Sequence, residues 1–153
     1  MNIFWLDNDL RQCAIAHCDK HVVKMCVEYA QILSTVSRQS GLEQGYKETH
    51  KNHPCVKWCS ESVFNWALLC ELEFCLGDEY TYRFGKLHKS VELVKTFKIP
   101  NLPLTLPTKP PLCMPDKYKC EDIVQSYRDY YIGDKQDITY WSYRPKPSWY
   151  IRY

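Results

Sequence analysis

The spacing of apolar residues changes from one segment of the chain to the next, and each spacing predicts a different element. Ile3-Phe4-Trp5-Leu6 is a short apolar start. Leu10, Ala14 and Ile15 then predict a brief helix running to about His17, with Asp7 or Asp9 as its cap. Val22, Val23, Cys26, Ala30 and Leu33 recur at helical intervals and predict a second helix over about 20–37, with Asp19 as N-cap. Residues 41–52 are polar and read as a loop. Pro54 suits the first position of a third, long helix whose buried side would hold Val56, Val63, Trp66, Ala67, Leu69, Cys70 and Phe74, broken or kinked at Gly77 or Gly85. Lys86 to Phe97 predicts a fourth helix.

Six prolines between Pro100 and Pro115 forbid any helix there. That segment should be an extended wrap, because too little chain follows it to fold alone. Glu121 to Ile132 predicts a last helix, ended by Gly133 in the left-handed conformation. An extended, aromatic tail runs on to Tyr153. No internal repeat is present. The expected fold is all-α, a single-domain compact helical bundle with a proline-rich wrap and an aromatic C-terminal tail.

Composition narrows the setting. A chain of 153 residues can bury roughly two-thirds of its unfolded surface, enough for one core. No apolar run of about 18 residues offers a membrane span, and the first residues lack the basic region of a signal peptide. Nine cysteines, odd in number and without a Cys-x-x-Cys pair, read as reduced thiols of an intracellular protein, cytoplasmic or nuclear. The net charge of +2 hides an asymmetry: residues 1–82 hold 7 Lys/Arg against 11 Asp/Glu, whereas residues 83–153 hold 13 against 7. The basic half also carries Tyr127, Tyr130, Tyr131, Tyr140, Trp141, Tyr143, Trp149, Tyr150 and Tyr153. Cations interleaved with flat rings suit a phosphate backbone with unstacked bases, although each ring could equally be core.

Two polar clusters stand out. In the first, His21, Lys24 and Glu28 follow at intervals of three and four and should form a polar ridge opposite the apolar stripe, with His17 just before the cap as a further candidate member. The second, Thr49-His50-Lys51-Asn52-His53-Pro54, sits where a loop becomes a helix, and unpaired N–H groups there favour a phosphate oxygen. With Asp19 marking another helix start, two N-termini could converge on one anion site. The plainer readings are a solvated helix face with an ordinary ion pair for the first cluster and simple capping by Asn52 or His53 for the second. Metal spacing exists in His17-x3-His21 with His50-x2-His53-x-Cys55, but Lys20 and Lys24 would set positive charge beside the cation, so no metal ligands and no cofactor are assigned.

Gly45-Tyr46 followed by Asn52-His53-Pro54-Cys55-Val56-Lys57-Trp58 resembles the Gly-Tyr…Asn-His-Pro signature of the pyrimidine-dimer DNA glycosylase family. The closing Arg144-Pro-Lys-Pro-Ser-Trp149-Tyr150 is similar to the C-terminal segment of the phage endonuclease V-type members, and uncharacterised phage and large-virus proteins share the Cys-Asp-Lys-His-Val-Val-Lys pattern. The resemblance implies a monomeric enzyme of DNA repair acting on duplex DNA with a damaged or flipped-out base. An N-terminal α-amine would attack the sugar C1′, the base would leave, and a Schiff base would carry β-elimination. That amine would be Met1's, or Asn2's if Met1 were removed, with Asp19 as the assisting carboxylate. Lysine can do the same chemistry, and Lys24 with Glu28, Asp19 or His21 is the local alternative. The catalytic candidates are therefore Met1, Asp19, His21, Lys24 and Glu28. Those for nucleic acid or phosphate are His17, Lys20, His50, Asn52, His53, Lys57, Arg144, Trp149 and Tyr150. Competing readings are another nucleotide-processing enzyme on the same scaffold, possibly metal-dependent, and a non-catalytic nucleic-acid-binding module.

Overall fold

The apolar start does not form a helix. In the computed structural model, which describes residues 1–151, Ile3 to Leu6 runs extended and buried through the middle of the molecule. Its backbone is held by side chains: Phe4 N–H donates to the Tyr29 hydroxyl (3.2 Å) and Leu6 C=O accepts from Arg128 Nε (2.9 Å). Helix α1 (Leu10–Ala16) follows, and of the two cap candidates it is Asp9 that accepts from Gln12 N–H.

Helix α2 (Asp19–Gln39) is the central element, packed against α1's neighbour α4, α3 and α5. Val22, Met25, Cys26, Tyr29, Ile32, Leu33 and Val36 form its buried stripe. Val23, expected in that stripe, is 41% exposed, since it lies about 100° around the helix from Val22. The N-cap is Cys18, not Asp19: Asp19 is the first helical residue and turns its carboxylate to Arg83 and Ser142 instead.

The loop after α2 returns tightly. Gly45 has φ +70°, and a Cβ there would lie 2.2 Å from Ser34 Oγ, so the chain can press onto α2 only with glycine at this position. Tyr46 then donates its N–H to Ser34 Oγ (3.0 Å).

The long helix expected from Pro54 is two helices, α3 (Pro54–Ser60) and α4 (Val63–Phe84). Ser62 breaks it: its backbone is extended (φ −154°), and its hydroxyl accepts from Phe64 N–H while donating to Thr105 C=O. Gly85 ends α4 with φ +68°, whereas Gly77 is an ordinary helical residue that lets Val91 pack close. Helix α5 (Lys89–Val94) is shorter than expected at both ends, His88 capping its start and Lys95 its end.

Residues 99–115 are extended and cross the α3–α4 junction as a wrap. Pro103 C=O accepts from Val63 N–H (2.9 Å), and Asn65 and Thr108 exchange two hydrogen bonds. A 3-10 turn (Asp116–Tyr118) leads to α6 (Ile123–Asp134), capped by Asp122. Gly133 does not end α6. It stays helical, and a Cβ on it would overlap the Tyr118 ring. The tail returns to the α1–α2 corner, where Trp141 Nε1 donates to Ala16 C=O and Tyr140 C=O accepts from Asp19 N–H.

The fold is all-α, with no strand among the described residues. All nine cysteines carry free thiols. No helix in the described part is long and apolar enough to cross a membrane. Tyr153 lies outside the described residues.

Candidate active site at the N-terminus

Asn2 is the only polar residue of the buried N-terminal run, and its side chain is fully used. Its Nδ2 donates to Cys113 C=O (2.8 Å), and its Oδ1 accepts from Ile3 N–H (2.8 Å) and the Tyr127 hydroxyl (2.9 Å). This latch fixes where the preceding residue can be. Met1's α-amine lies 3.8 Å from Glu28 Oε2, and Asn2 N–H donates to the same oxygen at 3.0 Å. Glu28 stands on the third turn of α2, mostly buried, and its other oxygen is 3.3 Å from Lys24 Nζ, which is exposed. A pocket of about 190 Å³ opens over this group, lined also by Phe4, His21, Met25, Cys113, Tyr130 and Lys135. It therefore joins one amine, one carboxylate and two lysines with an aromatic wall.

The structure corrects the expected ridge. His21 and Glu28 do reach one pocket with Lys24, but His21 is buried rather than solvent-facing. Its ring stacks on Phe4 at 4.4 Å between centroids and shares a hydrogen bond with the Tyr131 hydroxyl. Burial lowers its pKa to about 2, with positive charge on Lys135, Lys24 and Lys20 acting in the same direction. His17 is fully buried away from the ridge, its Nδ1 on Cys13 C=O; burial lowers it to about 4. Both rings are neutral packing elements at ordinary pH.

Asp19 belongs to a different constellation. Arg83, wholly buried, donates to Asp19 Oδ1 (3.0 Å), Glu79 Oε1 (2.6 Å) and the carbonyls of His17 and Ile15. Arg144 adds a two-pronged bond to Glu79, 2.9 Å in each arm, and stacks on Tyr82. Burial pushes Glu79 up, but the two arginines outweigh it and hold the carboxyl below its ordinary value. Tyr150 is buried, with its hydroxyl on Thr139. Trp149 is half-buried, edge-on to Tyr131 with Arg128 over its ring.

The second polar cluster contributes one residue near the amine. His53 caps α3 by accepting Cys55 N–H at its Nδ1. Partial burial lowers its pKa, and the α-amine's charge lowers it further, which sets it beside the N-terminus. His50 is exposed with φ +49° and bonds Thr49, while Asn52 and Lys57 are exposed. The two helix starts do not converge. The α2 start, with Asp19 and Lys20, faces a separate cleft of about 550 Å³ shared with Val23, Lys24, Phe84, Tyr140, Ser142 and Tyr143. Lys24 lines both spaces.

The match to a known family falls on the part of the chain that supplies this amine and carboxylate. The family model for pyrimidine dimer DNA glycosylase covers residues 1–91. The chain belongs to that family. No curated protein and no solved structure matches it. Within the pyrimidine dimer DNA glycosylase portion lie Met1, Lys24, Glu28 and His53; DNA is the substrate that the family implies. Cys113, Tyr130 and Lys135 come from outside that portion, and sequence spacing gave no sign of them, since they meet the site from more than 80 residues away. The one available signal was the Tyr127, Tyr130, Tyr131 triplet, which puts three rings on one side of α6.

Proposed function

We propose that the protein is a DNA glycosylase and apurinic/apyrimidinic lyase for damaged or modified pyrimidines, with the α-amine of Met1 as nucleophile and Glu28 as its acid–base partner. The observation that carries this is the Glu28 carboxylate, 3.8 Å from the α-amine inside a pocket open to solvent. In this reading the amine attacks C1′, the N-glycosidic bond breaks and the base leaves. The C1′–O4′ bond then opens, O4′ taking up a proton, to give a Schiff base between nitrogen and C1′, and loss of a C2′ proton expels the 3′-phosphate. Glu28 accepts the amine's proton and faces the cationic sugar, a placement that favours developing positive charge. If Met1 is removed, Asn2's nitrogen, already 3.0 Å from Glu28, takes over the role. Asp19 is given no catalytic part, because Arg83 and Ser142 occupy its oxygens.

Lys24, Lys135 and Lys20 supply phosphate contacts around the two spaces. The exposed rings of Tyr140 and Tyr143, beside Phe84, offer surfaces for a base taken out of the stack. A second reading makes Lys24 the nucleophile, supported by its ion pair with Glu28 in the same pocket. Borohydride trapping on DNA with an abasic site decides between them. The expected result is a covalent adduct that survives Lys24→Ala and disappears when the α-amine is blocked. The reverse pattern assigns Lys24, and the absence of any adduct overturns both and leaves a binding module.

A further inference from the structure

Cys55, at the start of α3, and Cys113, in the proline-rich wrap, are 58 residues apart in sequence, yet their sulfurs lie 3.7 Å from each other. His53 offers a ring nitrogen beside them, and the three ligand atoms all fall within 4.8 Å of one another. In a tetrahedral zinc site with Zn–S bonds of about 2.3 Å, two thiolate sulfurs are separated by about 3.8 Å. The two cysteines therefore already stand at the edge length of such a tetrahedron. Cys55 is buried, while His53 and Cys113 are half-buried, so a cation could reach the cluster from the outside. Cys113 is also held from both sides, its N–H on the Tyr127 hydroxyl and its C=O on Asn2 Nδ2.

We propose that His53, Cys55 and Cys113 form a binding site for a thiophilic divalent cation, zinc being the representative. Ligation releases the two thiol protons to solvent, and the two thiolates neutralise the dication. His53 is the weakest of the three ligands, because its Nδ1 now accepts Cys55 N–H and coordination through either ring nitrogen gives up that cap. Three protein ligands leave a fourth position. Since Cys113 also lines the pocket of the α-amine, the cation would sit in that pocket's wall. This site stands independently of the glycosylase reading.

Titration of the reduced, metal-stripped full chain with Co²⁺ tests it. The expected result is one equivalent bound with a thiolate-to-cobalt charge-transfer band, displaced by Zn²⁺. Cys113→Ser should lose the band and weaken Zn²⁺ binding more than tenfold, His53→Ala should weaken it less, and Cys120→Ser should leave it unchanged. In the wild-type chain, which avoids any question of variant folding, Zn²⁺ should slow alkylation of Cys113 but not of the exposed Cys120. Absence of the band, its survival in a folded Cys113→Ser variant, or alkylation of Cys113 indifferent to Zn²⁺ would each overturn the proposal.

Discussion

Helix α2 carries two carboxylate–cation constellations, one at its start and one at its third turn, and they differ in almost every respect except residue type. At the start, Asp19 joins Arg83, Glu79 and Arg144, with both oxygens of Asp19 occupied and Arg83 fully buried. At the third turn, Glu28 joins Met1's amine and Lys24 at 3.8 and 3.3 Å, under an open pocket. The first is saturated and ties α2, α4 and the tail together. The second sets an amine and a carboxylate beside a pocket open to solvent. What separates them is the company each carboxylate keeps: Asp19 is tied to a wholly buried arginine, whereas Glu28 shares an open pocket with an amine and an exposed lysine.

The largest effect that would break this contrast is on rate. Glu28→Gln should lower the rate of borohydride trapping by about 100- to 10,000-fold, the usual range for losing an acid–base group, with little change in melting temperature. Asp19→Asn should spare the rate. Next comes a stability effect at the other site. Arg83→Ala leaves Asp19 without its buried cation, while Glu79 keeps Arg144, and should cost about 3–5 kcal/mol in denaturant unfolding. Trapping per folded molecule should persist.

Acid should strike both sites. His17 shares its carbonyl with Arg83, and His21 walls the pocket. Their folded pKa values, about 4 and about 2, are depressed from 6.5, so their contribution is fully present above pH 6.5 and is lost as pH falls through the folded values. Unfolding measured from pH 7 to 4 should show stability falling with a slope approaching two protons.

The smallest effect concerns Glu73, buried on α4 with neither oxygen partnered and its pKa raised by burial. Its neutral form makes the fold most stable below the ordinary carboxylate value, and that stability declines as pH rises toward the raised one. Glu73→Leu should gain about 1–3 kcal/mol at pH 7 and flatten this dependence in thermal melts. It should alter neither constellation.

Local rules made much of the framework readable. Asp9, Pro54 and the run of prolines from Pro100 mark their elements through backbone chemistry that acts within a few residues. The break at Ser62 was harder to see, because its hydroxyl is fixed by Thr105, 43 residues on. Gly133 misled for the same reason: Tyr118 needs the missing side chain, and the helix simply continues. Among site residues, Glu28 and Lys24 were visible through their spacing. His21's burial was not, since the ring that meets its Nδ1 belongs to Tyr131, 110 positions away. Asp19 is a carboxylate of the same helix held instead by Arg83 and Ser142, and no spacing rule distinguishes its surroundings from those of Glu28.

The Asn2 latch ties the two parts of the chain together. The stretch shared with the family brings the amine and the carboxylate, while Cys113 and Tyr127, which grip Asn2, come from the stretch beyond it. The position of the amine relative to Glu28 is thus set from outside the family-matched stretch. A change at Tyr127 or along the wrap at Cys113 would therefore shift the amine against the carboxylate without altering either group.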